Sequence, residues 1–183
     1  RVRRAGEAEV ELEREVLELL DRDDVTAARE TLEAIEPKVD EISGKWEASV
    51  VKTLKHPTTG QPLFVVAGSD RRGTAFGLTS LSRAIGVSPW YWWADVVPSH
   101  KDALYIQPGL YTQQEPSVQY RGIFINDERF GGWAQWVERH FDKETGKVGP
   151  KVYQKVFELL LRLKANTFWP AMHECSEPFF LTP

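Results

Sequence analysis

Two short apolar strands separated by one long apolar helix dominate the C-terminal part of the sequence. Residues 120–125 and 165–169 are predicted strands, and residues 152–163 are a predicted helix between them. Strands joined through a helix of this length pair in parallel, because the crossover returns the chain to the same edge. This is the repeating unit of a (β/α)8 TIM barrel. We therefore predict the first βαβ portion of an incomplete barrel over residues 113–183.

A different pattern precedes the barrel unit. Residues 46–54 alternate as a half-buried strand, and residues 62–67 make a more buried strand after a turn, so the two are expected to form a hairpin. Residues 74–85 have helical spacing, with Gly86 placed to follow the end of the helix. The sequence thus predicts a small α/β domain over residues 39–112.

The end of this small domain is predicted from a short strand and a linker. Residues 103–106 form a short apolar run typical of a strand, and the stretch from Pro108 to Pro116 has the composition of a linker. The boundary between the two predicted domains lies in that linker. The fold class is therefore α/β, with two parts.

The N-terminal segment differs in charge from the rest. Residues 1–43 contain 14 Asp and Glu against 7 Lys and Arg, whereas all 7 Trp lie beyond Gly44. Helical spacing in residues 7–20, and again from Asp24 to Ile35, predicts a solvated helical hairpin. Residues 1–38 are treated as an acidic helical segment without an assigned function.

Composition also bears on the partners. Nothing in the sequence approaches the roughly 18–20 apolar residues of a membrane span, and no Lys/Arg run or known motif indicates nucleic-acid binding. A mildly basic, aromatic-rich region suits an acidic, ring-shaped ligand better. The single cysteine, Cys175, cannot form an internal disulfide and does not fix the compartment.

Candidate functional residues follow both barrel strands. In such barrels the functional groups collect at the C-terminal ends of the strands, where carboxylates act as acid or base or bind sugar hydroxyls. Asp127 and Glu128 could equally cap a helix or pair with Arg121 or Arg129. A metal is not predicted, because one His beside one carboxylate supplies too few ligands. The candidates at these two ends are Asn126, Asp127, Glu128, Trp169, His173 and Glu174.

Four consecutive aromatic residues, Trp90 to Trp93, form a second candidate site. They cannot all point into one core, and Pro89 disfavours a helix there. Some of the rings are expected to line a cleft and stack on a sugar ring. The alternative is that they seal an interface between the two domains.

A polar turn between a strand and a helix is the third candidate. Residues 68–74 fit neither phosphate-binding glycine motif, so a nucleotide site is not predicted. Asp70 and Arg71 are kept as candidate substrate-binding residues. The arginines could bind a substrate carboxylate in a bidentate manner or tie the two domains together.

Taken together, these stretches resemble glycoside hydrolase family 115, the xylan α-1,2-glucuronidases. The resemblance covers about Val39 to Pro183. The matching stretches, which occur in register, are residues 44–47, 66–74, 85–96, 120–128 and 156–166, running on into 168–172.

The resemblance implies a function for a longer parent protein. Such proteins remove 4-O-methylglucuronic acid from glucuronoxylan, or from its oligosaccharides, by an inverting hydrolysis without metal or other cofactor. It also implies a homodimeric parent, secreted or periplasmic, in which Trp92, Trp93 and residues 126–128 line the cleft. The catalytic acid and base are expected beyond Pro183, so the isolated chain is expected to be inactive.

Two further expectations follow. Asp127 and its neighbours should face the same hollow as Trp92 and Trp93. The competing hypothesis is a non-catalytic carbohydrate-binding or assembly module, in which the aromatic residues bind without turnover.

Overall fold

The computed structural model describes residues 33–34, 38–56, 59–126 and 132–170. The chain divides into two compact units, the first ending at Pro116 and the second beginning at Ser117. The helical hairpin predicted within residues 1–38 lies almost entirely outside the described residues. Among the helices that are described, none is long and apolar enough to cross a bilayer.

The first unit is built on a three-stranded antiparallel sheet. Its strands are β1 (Ser49–Lys55), β2 (Pro62–Gly68) and β3 (Leu110–Gln113), in the order β2-β1-β3. Val51 of β1 faces Val66 of β2 across the ladder. The predicted hairpin of β1 and β2 is therefore confirmed.

The strand predicted at residues 103–106 is wrong. This stretch has no regular structure, and Tyr105 within it is 93% exposed. The third strand is instead β3, inside the stretch predicted as a linker, where Leu110 pairs with Lys52. Strand formation here depends on pairing with the available edge of β1, which a short apolar run cannot reveal.

The sheet is covered on both faces. Successive residues of a strand point to opposite faces, so Val50 faces away from Ser49. Val50 packs with Ala48 and Ile42 in the buried core cluster. On the other face, helix α1 (Arg71–Ala84) approaches Ser49 and Val66 closely through Gly77.

Helix α1 begins three residues earlier than the sequence predicts, because Asp70 is its N-cap. The carboxylate of Asp70 accepts a hydrogen bond from the Gly73 N–H at 2.7 Å, which satisfies one of the otherwise unpaired N–H groups of the first turn. At the other end, Gly86 has a positive φ of 106° and follows the C-cap Ile85. Its predicted place after the helix is confirmed.

The second unit contains a parallel pair of strands joined through helices. Strand β4 (Gly122–Phe124) pairs in parallel with β5 (Thr167–Trp169), and both are shorter than predicted. Between them lie α2 (Trp133–Trp136), a π-helical turn (Val137–Phe141) and α3 (Pro150–Arg162). The predicted strand–helix–strand order and the parallel pairing are confirmed.

The apolar side of α3 forms most of the core of this unit. Phe168 of β5 meets Tyr153 and Phe157 of α3 edge-on, with ring centroids 5.4 and 5.5 Å apart. Pro150 occupies the first turn of α3, where the missing N–H costs nothing. The buried apolar residues of this unit are Ala134, Val137, Val148, Val152, Tyr153, Val156, Leu159 and Leu160.

A methyl group at Gly73 should destabilise the first unit. A Cβ there would lie 2.2 Å from the Ala48 carbonyl oxygen, so strand and helix must move apart. We expect Gly73→Ala to lower the free energy of unfolding by about 2 kcal/mol, because overpacking outweighs the ~1 kcal/mol gained in helix propensity. Urea denaturation followed by circular dichroism measures the change.

Gly109→Ala is the matched control. A Cβ at Gly109 would meet nothing within 4 Å, so its unfolding midpoint should stay close to that of the parent sequence. Equal stability of the two variants would contradict the close packing of α1 on the sheet.

Candidate functional site

The N-terminal ends of β4 and β5 are joined by a dense hydrogen-bond network. Arg121 donates from Nη2 and Nε to the Lys164 carbonyl at 2.7 and 3.0 Å, and from Nη1 to the Val118 carbonyl at 2.8 Å. Lys164 has a left-handed backbone, with φ of 58°. Asn166 accepts from the Arg121 N–H at 3.0 Å and donates to the Gln119 carbonyl at 2.7 Å. This end of the strand pair is therefore engaged in holding the two strands together.

The C-terminal ends of the same strands present exposed aromatic rings. Phe124 and Trp169 face each other across the ladder, with ring centroids 5.6 Å apart and planes at 71°. They are 58% and 65% exposed. Asn126 follows β4 and is also exposed. The structure thus brings Asn126 and Trp169 to one end of the strand pair, as the sequence predicts for a parallel α/β unit.

The two faces of the strand pair differ in what covers them. Phe168 points to α3, so its neighbour Trp169 lies on the opposite face, together with its partner Phe124. The strand pair therefore has a helix on one face and large exposed rings on the other, the layering of a parallel α/β unit.

Four candidates lie outside the described residues. They are Asp127, Glu128, His173 and Glu174, and their roles stay predictions. Among the residues that the structure does describe, no group of three or more His, Cys, Asp or Glu is placed to bind a metal ion.

The aromatic run of the first unit forms a turn. Trp92 and Trp93 are half-buried and meet edge to face, with centroids 4.8 Å apart, while Trp90 is 45% exposed. The Ala94 N–H donates to the Trp90 carbonyl at 2.9 Å, and the Trp90 N–H donates to the Ser88 hydroxyl at 3.1 Å. These bonds fix the turn that carries the rings.

The loop carrying these rings is closed at its base. Lys101 donates from Nζ to the Ile85 carbonyl at 2.7 Å, at the C-terminal end of α1, where a cation is favoured by the helix dipole. The loop therefore returns to the helix from which it departs.

Asp70 holds the turn between β2 and α1. Its second carboxylate oxygen accepts from the Glu47 N–H at 2.9 Å, while Ser69 accepts from the Ala48 N–H at 3.0 Å. Both oxygens of Asp70 thus bind backbone N–H groups. Desolvation by burial raises the pKa of Asp70, but the bonds from Gly73 and Glu47 and the charge of Arg72 outweigh it, so the pKa lies below its ordinary 3.8.

Sequence reasoning named Arg72 with Arg71 as a possible carboxylate ligand, but it did not predict that Arg72 pairs with Glu47. The Glu47 side chain is fully buried and pairs with Arg72, whose Nε lies 2.7 Å from the carboxylate. The backbone of Glu47 is left-handed, with φ of 55°. Arg71, the predicted candidate, is exposed in the first turn of α1. Because 23 to 25 residues separate Glu47 from Asp70 and Arg72, no local pattern could have revealed this pairing.

Comparison with known proteins agrees with the geometry of the second unit. The sequence profile of glycosyl hydrolase family 115 matches residues 113–182. A solved 4-O-methyl-α-glucuronidase of this family, described as specific for decorated arabinogalactans, is 46% identical in sequence, with a TM-score of 0.66. Residues 113–182 belong to glycosyl hydrolase family 115.

The match to the solved relative covers most of this chain but little of the relative. The aligned part covers 78% of this chain but 18% of the solved family 115 chain. None of the curated proteins compared with the sequence matches it. This chain therefore spans only a small part of the length of the solved relative.

Replacing the Asp70 carboxylate should remove a pH-dependent stabilisation. Because the folded-state pKa lies below the unfolded-state value, this stabilisation is present above about pH 4 and lost as the pH falls through the folded-state pKa. We expect Asp70→Asn to lower the free energy of unfolding by about 1–2 kcal/mol at pH 7. The difference from the parent sequence should narrow between pH 5 and pH 2 in urea titrations.

Asp102→Asn serves as the control, since the Asp102 side chain is fully exposed. At pH 7 its free energy of unfolding should stay close to that of the parent sequence. A pH-independent effect of Asp70→Asn would show that the carboxylate charge contributes nothing.

Proposed function

We propose that the protein carrying this chain is a glycoside hydrolase that removes 4-O-methylglucuronic acid side chains from xylan or a related decorated polysaccharide. The observation that carries the proposal is the family 115 segment, with aromatic and amide side chains at the C-terminal end of a parallel strand pair. The solved relative, described as a 4-O-methyl-α-glucuronidase, supports it.

We further propose that β4, α3 and β5 are the first elements of a (β/α)8 barrel. The parallel pairing and the helix packed on one face support this. The exposed rings of Phe124 and Trp169 would then point towards the barrel interior and its mouth, where enzymes of this fold place their active sites.

The substrate-binding residues proposed at this mouth are Asn126 and Trp169, joined by Asp127, Glu128, His173 and Glu174. A flat ring stacks on the apolar face of a sugar, while amide and carboxylate groups bind its hydroxyls. Trp92 and Trp93 of the first unit are proposed as further substrate-binding residues. Arg71 remains a candidate for the uronic carboxylate, whereas both oxygens of Asp70 are engaged with the backbone.

The proposed reaction is an inverting hydrolysis without a metal. It needs one carboxylic acid to protonate the leaving oxygen and one carboxylate to activate water, about 6.5–9.5 Å apart. We propose that residues outside this chain supply the pair, and that the protein acts as a homodimer. The 183 residues alone would then bind without turnover.

A non-catalytic carbohydrate-binding module is the second candidate function. The partly exposed aromatic turn at residues 90–93 favours it, because such rings bind sugars without needing an acid and base. The two candidates differ in turnover by the longer protein.

An assay for release of 4-O-methylglucuronic acid distinguishes the hydrolase from the binding module. The substrates are glucuronoxylan and, in parallel, decorated arabinogalactan. We expect the longer protein to release the acid, and Trp169→Ala to lower kcat/KM at least about tenfold, a loss of roughly 1.4 kcal/mol of transition-state stabilisation. Tyr105→Ala removes an aromatic ring that is 93% exposed in the first unit, and it should leave kcat/KM unchanged.

Binding without release from either polysaccharide would support the binding module instead. Full activity of Trp169→Ala would contradict the proposed place of Trp169 in the cleft.

A further inference from the structure

A column of aromatic rings follows β4 in the second unit. Trp136 stacks on Trp133 and on Phe141, with centroids 6.0 and 6.1 Å apart and planes within 16° and 13°. His140 lies alongside, 6.4 Å from Trp136 and tilted by 37°. None of these four residues is among the candidates drawn from the sequence.

The π-helical turn produces this column. The Asp142 N–H donates to the Val137 carbonyl five residues earlier, at 2.9 Å. Widening the helix in this way brings residues five apart onto one side, so Phe141 lies beside Trp136. Single π-helical turns occur frequently at functional sites.

Trp136 is not among the buried core residues of the second unit. Ala134 and Val137 provide the buried side of this segment. Trp136 remains 39% exposed, and His140 is exposed beside it. At these centroid distances the rings are offset, so stacking leaves part of the Trp136 face uncovered. Trp136 is thus a partly exposed ring that its neighbours hold in place.

A ring held in this way suits a ligand with a flat apolar face and hydroxyl groups at its rim. A pyranose ring has that form, and a fixed platform loses little side-chain entropy on binding. The imidazole of His140 can donate to or accept from a hydroxyl. The segment also lies in the connection that leaves the C-terminal end of β4, the side on which barrel enzymes bind ligands.

We propose that Trp136, fixed by Trp133 and Phe141 and assisted by His140, binds a neutral pyranose of the polysaccharide backbone. This site is separate from the proposed uronic-acid site and rests on the proposed polysaccharide substrate. Xylan and galactan backbones share the required chemistry, so the test includes both.

The test titrates the 183-residue chain with xylohexaose and, separately, with a galactan oligosaccharide. Binding is followed by NMR through the indole N–H signals, with that of Trp136 assigned from its loss in Trp136→Phe. We expect the Trp136 signal to shift on saturation, and Trp136→Ala to weaken binding about fivefold. Trp136→Phe, which keeps a flat ring, should retain most of the affinity.

Trp136→Leu keeps an apolar side chain without the aromatic face, and it should weaken binding as much as Trp136→Ala. If Trp136→Ala does not fold, Trp136→Leu is used in its place. Tyr105→Ala is the control for loss of an exposed ring elsewhere, and its affinity should equal that of the parent chain. A Trp136 signal that stays fixed with both sugars, or equal affinity of Trp136→Leu and the parent chain, would overturn the proposal.

Because these ligands lack glucuronic acid, their binding does not depend on hydrolysis. Binding at Trp136 by a protein that releases no uronic acid would refute the proposed enzyme while leaving the platform in place. Release of uronic acid with no response at Trp136 would do the reverse.

Discussion

The parallel pairing of β4 with β5 is the constraint on which the candidate site depends. Two three-residue strands offer few ladder bonds, and a short isolated pair is marginal in water. Arg121 and Asn166 strengthen the pair, because each lies just before one strand and forms hydrogen bonds with the backbone that precedes the other. With the N-terminal ends fixed, the register places Phe124 opposite Trp169. It also fixes the end of β4, from which the chain continues to Asn126. The hydrogen bonds that stabilise the pair thus lie at one end of the strands, and the proposed binding residues lie at the other.

The first unit is held by small residues at the contact of helix and sheet, and by an ion pair between buried Glu47 and exposed Arg72. Gly73 and Gly77 allow α1 to pack closely against the sheet. The residues just before β1 therefore lie close to the first turn of α1. Asp70 and Arg72 then bind the backbone and side chain of Glu47, whose left-handed conformation would otherwise be unfavourable. Removing one member would leave a buried carboxylate or unpaired N–H groups, so the cluster is most simply understood as holding the turn.

The periodic elements were predictable from the sequence, and the long-range pairings were not. Residues 152–163 carry a helical apolar stripe strong enough to identify α3, and the apolar run at 62–67 identifies β2. The strand at Leu110–Gln113 was missed because its partner is more than fifty residues away and its own residues are mostly exposed. The same limit applies to Glu47 with Arg72. The π-helical turn that aligns Trp136 with Phe141 is local, but its wider spacing departs from the 3.6-residue period by which helices are predicted. At the candidate site, the strand ends were predicted from topology alone, whereas the ring geometry required coordinates.

The exposed apolar residues of the second unit also fit one account. Trp169 and Phe124 occupy the face of the strand pair opposite α3, and Phe157, Leu161 and Leu163 leave apolar surface open on the helix itself. In a complete barrel the first face is lined by side chains from the other strands, and the helix is flanked by neighbouring helices. A unit that leaves both surfaces open gains less from burial than it would inside such a barrel. Phe124 and Trp169 are thus the residues whose environment further strands would change most, which links their exposure to the proposed cleft.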